Sequence, residues 1–84
     1  MAKLEKLLRQ ARRGPQNLRL KDLIKIAEAY DFYVDRQKGS HIILVHRDYP
    51  DIINLQAANG GKAKKYQVRQ VLRIIEELEE NYGY

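Results

Sequence analysis

The chain has 84 residues, no cysteine and a net charge of +5 at neutral pH. That length suits one domain burying about 60–65% of its unfolded surface, so one modest core and a shallow site are the ceiling. A disulfide scaffold, a thiolate metal site and a cysteine nucleophile are excluded. Hydrophobic residues at 44% and charged residues at 32% give an ordinary globular balance. No apolar run approaches the ~18 residues that cross a bilayer, and Met1 opens no signal-peptide pattern. The expectation is a soluble, cytoplasmic single domain over residues 1–84.

Leu4, Leu7, Leu8 and Ala11 recur at helical spacing, so a short amphipathic helix is expected from Lys3 to about Arg13. Gly14-Pro15 stops it. Leu20, Leu23, Ile24, Ala27 and Tyr30 mark the buried stripe of a second helix. Phe32 to Gln37 and His41 to Arg47 read as strands joined by a Lys38-Gly39-Ser40 turn, and Ile52 to Gln56 as a third strand. Asn59-Gly60-Gly61 breaks the chain. Val68, Val71, Leu72, Ile75, Leu78 and Tyr82 then predict a helix from about Lys65 to Asn81. The order implies an α+β fold: a three-stranded antiparallel sheet with helices packed on one face and the other face free. Residues 1–16 form an N-terminal helical extension and residues 17–80 the core.

Charge is unevenly placed. Met1 to Lys25 carries a net +6, Ile26 to Gly61 a net −2, Lys62 to Ile75 a net +5 and Glu76 to Tyr84 a net −4. Basic blocks of this kind suit a polyanion such as nucleic acid, although lysines and arginines also simply solvate helix faces. In the last helix the pattern opposes the macrodipole: Lys62, Lys64, Lys65, Arg69 and Arg73 crowd its start, and four glutamates its end. Each misplaced charge costs about 0.3–1 kcal/mol. Cations just after Gly60-Gly61, at a positive helix end, are what an anion site needs.

His41 is the chief candidate for chemistry. It follows a Lys-Gly-Ser turn whose amides and cations can hold a phosphate, and histidine does acid–base work near neutral pH. Two registers are open: a two-residue Lys38-Gly39 loop pairs Arg36 with His41, and a three-residue loop pairs Gln37 with His41. A lone strand histidine is also a common structural residue. His46, an odd number of residues away, faces the opposite side and reads as a surface or rim residue. The two make a poor metal site for want of a third ligand.

Four stretches together resemble one family: Leu20-Lys21-Asp22-Leu23-Ile24, Arg36-Gln37-Lys38-Gly39-Ser40-His41, Gly60-Gly61-Lys62 and Tyr66-Gln67-Val68-Arg69-Gln70. In this order they resemble the HicA-type toxins, messenger-RNA-cleaving halves of bacterial toxin–antitoxin pairs, from Leu20 to about Glu76. The resemblance implies a double-stranded-RNA-binding-domain-like α-β-β-β-α core after the N-terminal helix. It further implies a metal-independent endoribonuclease with one catalytic histidine at His41, no cofactor, and two partners, messenger RNA and a HicB-like antitoxin. Departures are Ile42, where a second histidine is common, and the lack of a proline near Lys65. RNA phosphates are expected on Arg36, Lys38, Gly39, Ser40, Lys62, Lys64, Lys65 and Arg69. Two other classes fit the same surface: a non-catalytic RNA-binding module, and an adaptor for an acidic protein. Apolar residues near the hairpin, Ile42 and Leu44 or Ile43 and Val45 by register, would give a partner its dry centre.

Overall fold

The computed structural model describes residues 2–84; Met1, first residue of the expected extension, lies outside them. Helix α1 runs Ala2–Arg13, and Gly14 closes it by donating its N–H to the Gln10 carbonyl at 2.9 Å. Pro15 then opens a single 3-10 turn, Pro15–Asn17. Ala11 is buried, with Leu4, Leu7 and Leu8 packed beside the core, so this helix docks on the body through its apolar stripe. A helix of three turns is marginal alone and gains its order from that burial.

Helix α2, Leu20–Ala29, buries Leu20, Leu23, Ile26 and Ala27. It ends in a Schellman arrangement: Asp31 takes a left-handed φ of 72° and bonds back to Glu28, while the Phe32 N–H reaches the Ala27 carbonyl. Strands β1 (Tyr33–Lys38), β2 (His41–Val45) and β3 (Ile53–Gln56) form an antiparallel sheet in that order. Helix α3, Lys65–Asn81, matches its expected limits and lays Val68, Val71, Ile75 and Leu78 on the core. Core-facing Ile42 and Leu44 pair with Leu55 and Ile53. Helices cover this face, which makes the fold α+β and double-stranded-RNA-binding-domain-like. No helix among the described residues is long and apolar enough to cross a membrane.

The hairpin register differs from both expected alternatives. Its two-residue loop is Gly39-Ser40, and Lys38, rather than Arg36 or Gln37, faces His41. Gly39 has φ of 61° and Ser40 does not, the type II′ pattern that matches strand twist. Farther along, the pairing slips by one between Val34 and Arg36, a β-bulge at Asp35. Arg36 lies on the hairpin side of this slip, in unbroken register with Lys38, so it faces Ile43 and joins Lys38 and His41 on the free side of the sheet. The bulge instead re-aims Val34, which faces Leu44 rather than Val45.

His46 is not a surface residue. It is 6% exposed, and its Nδ1 accepts the backbone N–H groups of Asp48 (2.9 Å) and Tyr49 (3.3 Å). Phe32 and Tyr84 pack edge-on to the ring, with centroids 4.9 and 5.2 Å away. The short turn after β2 folds back over the ring, so His46 holds the β2–β3 connection from inside. Next to it, Tyr49 donates its hydroxyl to Glu77 at 2.8 Å, tying the same turn to α3. Burial and the Glu77 carboxylate push the Tyr49 phenol up to about 12.

Candidate active site

On the free face, His41, Arg36, Lys38 and Asn54 surround a cavity of about 400 Å³ floored by Ile43. Ile43 points away from the helices yet is only 6% exposed, because these longer side chains cover it. The result is an apolar floor with cations and an imidazole at its rim. Arg36 Nη1 lies 2.7 Å from Asp35 Oδ2, an exposed pair between neighbours that adds little stability but limits where the guanidinium swings.

His41 itself is exposed and held by one side chain. Its Nδ1 lies 2.9 Å from Asn54 Oδ1, across strands β2 and β3. With the amide so oriented, its oxygen only accepts, so Nδ1 carries the proton and Nε2 keeps a free lone pair facing solvent. That is the tautomer a general base needs.

Asn54 is positioned in turn by Gln67, a polar residue of α3 that is 3% exposed. The Gln67 Oε1 accepts the Gln56 N–H at 3.3 Å, and its Nε2 donates to the Asn54 carbonyl at 3.2 Å. Both backbone groups lie on the outer edge of β3, so the amide imitates one peptide of a fourth strand. A sheet edge left open would let β3, and with it Asn54, drift.

The basic residues before α3 are tied to the same hairpin. Ala63 is buried and donates its N–H to the Leu18 carbonyl at 2.8 Å, while bridges Arg19–Lys62 and Ala57–Ala63 hold Lys62-Ala63-Lys64 extended. Lys64 Nζ donates to Gln56 Oε1 at 3.1 Å, and Gln56 Nε2 donates to Ser40 Oγ at 2.9 Å. Lys62, Lys64, Lys65 and Arg69 line a separate groove of about 630 Å³ beside the hairpin. Thus Arg36, Lys38 and His41 meet in one cavity, the lysine cluster meets in another, and Ser40 stands at the link. Gly39 lends its backbone only, to the turn and to a 3.3 Å bond from Gln37.

Sequence reasoning missed Asn54, Gln56 and Gln67. Each leaves a trace: Asn54 and Gln56 are the polar positions alternating with Ile53 and Leu55, and Gln67 interrupts the apolar stripe of Val71, Ile74 and Leu78.

A family model described as "HicA toxin of bacterial toxin-antitoxin" matches residues 20–76, which include the hairpin, Asn54, Gln67 and the lysine cluster. No curated protein and no solved structure matches the chain. With well over half of its length matched, from the start of α2 into the second half of α3, the chain belongs to the HicA toxin family, whose members are toxins of bacterial toxin–antitoxin pairs.

Proposed function

We propose that this toxin is a metal-independent endoribonuclease acting on messenger RNA in the cytoplasm, with His41 as its single acid–base residue. The observation that carries the reading is the His41–Asn54 contact at 2.9 Å beside Arg36 and Lys38, over the apolar Ile43. His41 Nε2 takes the proton of a ribose 2′-hydroxyl, and the 2′-oxygen attacks the adjacent phosphorus. The bond to the 5′-oxygen breaks, leaving a 2′,3′-cyclic phosphate and a 5′-hydroxyl whose proton comes from water or from His41. Arg36 and Lys38 stabilise the charge gathering on phosphorus. An amide and two cations around the imidazole are a set of groups that repels a divalent ion rather than binding it. One acid–base residue supplies about 10²–10⁴ in rate, so the enzyme is slow.

The test compares purified wild type with His41→Ala on a messenger-RNA transcript in excess chelator. Cleavage by the wild type alone supports the reading. Equal rates overturn the role of His41, and activity restored only by a divalent ion overturns the metal-free route. RNA binding without cleavage by either protein would make the chain an RNA-binding module.

The partner of a toxin–antitoxin pair is here an acidic HicB-like protein that covers His41. Ile42 and Leu44 are in the core, so Ile43 and Val45 are left as apolar residues of the free face near the hairpin. Hydrogen exchange on the complex should show added protection from Lys38 to Val45; unchanged exchange there places the antitoxin elsewhere.

A further inference from the structure

The groove beside the hairpin contains one residue that stability does not account for. Tyr66, in the first turn of α3, is 62% exposed, more than Tyr33, Tyr82 or Tyr84. Lys62, Lys64, Lys65 and Arg69 stand around it in the same groove. Arg69 lies three residues on, on the same side of the helix. Tyr30, Tyr49 and Tyr84 direct their hydroxyls at carboxylates and help pack the fold. Tyr66 instead shows its ring to solvent among cations. Those cations crowd the positive end of α3, which has no side-chain cap at Lys64 and no acidic residue in its first turn. The arrangement is poor for an isolated helix and suits a ligand with both negative charge and a flat face.

An RNA strand has both. Phosphates meet the lysines and Arg69, and a base lies against the phenol ring. In a duplex each base face is already covered by its neighbours, so a ring such as Tyr66 has nothing to stack on; an unpaired base offers its face freely. Lys64 of the groove is also tied to the hairpin by hydrogen bonds through Gln56 to Ser40. A strand anchored there can run on towards His41. We infer that Tyr66 is a stacking platform for an unpaired base, and that this protein takes single-stranded rather than duplex RNA despite its double-stranded-RNA-binding-domain-like fold. The inference rests on the RNA reading above and adds the substrate form.

The test uses the full chain carrying His41→Ala, so that binding is read without cleavage. Affinities are measured across a salt series for a short single strand and for the same sequence paired into a duplex. The parent should prefer the single strand. Adding Tyr66→Ala should weaken single-strand binding about 5- to 150-fold, the range of one base stack. The slope against log salt should not change, because the ring carries no charge. Tyr66→Phe should keep the parent's affinity, and duplex binding should be indifferent to either change. Single-strand binding that ignores Tyr66→Ala, a preference for duplex, or a shallower salt slope overturns the stacking role and leaves the RNA reading standing. Loss of antitoxin binding with RNA binding intact makes Tyr66 a protein contact and overturns it too. Failure of the parent to bind either RNA overturns both readings.

Discussion

Asn54 and Gln67 are joined by a bond from the Gln67 side-chain amide to the Asn54 backbone carbonyl, 3.2 Å long, so a buried residue of α3 supports the side chain that orients His41. The imidazole is exposed, but the order behind it comes from the core. Perturbing each layer should therefore give a different result.

Asn54→Ala removes the acceptor at His41 Nδ1 and frees the ring to rotate. The cleavage rate should fall by about 10²-fold, the scale of a misplaced reacting group, with RNA affinity nearly unchanged. Asn54→Asp keeps an acceptor oxygen and should retain most of the rate. Single-turnover kinetics beside binding measurements check this. A fall in affinity with no change in rate would make Asn54 a binding residue.

Gln67→Leu fills similar space but leaves the Gln56 N–H and the Asn54 carbonyl without their partner. A loss of about 1–3 kcal/mol is expected, the cost of stranded, part-buried polar groups. It should appear as a lower denaturant midpoint at constant m-value. Hydrogen exchange should rise first in β3. Uniform exchange across the sheet would argue against an edge clamp.

Replacing Lys62, Lys64 and Lys65 together by Gln should stabilise the isolated fold while weakening RNA binding. Each removed charge relieves a few tenths of a kcal/mol against the α3 dipole, with Lys64 giving least because it loses its bond to Gln56. The slope of log affinity against log salt should become shallower by about two units for a single strand. An unchanged slope would assign these lysines to solubility or to the antitoxin.

Alkaline stability should depend on Tyr49. Its phenol is neutral and half-buried against Glu77 in the folded chain, with its pKa raised from 10.0 to about 12. Above pH 10 the unfolded chain releases this proton while the folded chain keeps it. Stability is thus full below pH 10 and declines as pH rises from 10 towards 12. Tyr30 and Tyr84 are raised as well and add to the decline. Tyr49→Phe should make the decline shallower in urea titrations over that interval; an identical decline would show that the Tyr49 phenol does not sense folding.

What the sequence determined by itself was whatever local spacing encodes. The 3–4 periodicity from Val68 to Leu78 defined α3 to its ends, and Gly14-Pro15 stopped α1. The position of His41 beside a glycine turn was also local. The register was not, because which residues form the hairpin loop is decided only when β1 pairs with β2, and it is the Gly39-Ser40 loop that sets Lys38 and Arg36 on the His41 face. Likewise a polar Gln67 on an apolar stripe acquires meaning only against the free edge of β3, residues distant in the chain. His46 looked like a rim residue for the same reason: strand parity gives its face but not the turn that closes over it. Periodicity records which way a side chain points, whereas tertiary packing decides what stands there to receive it.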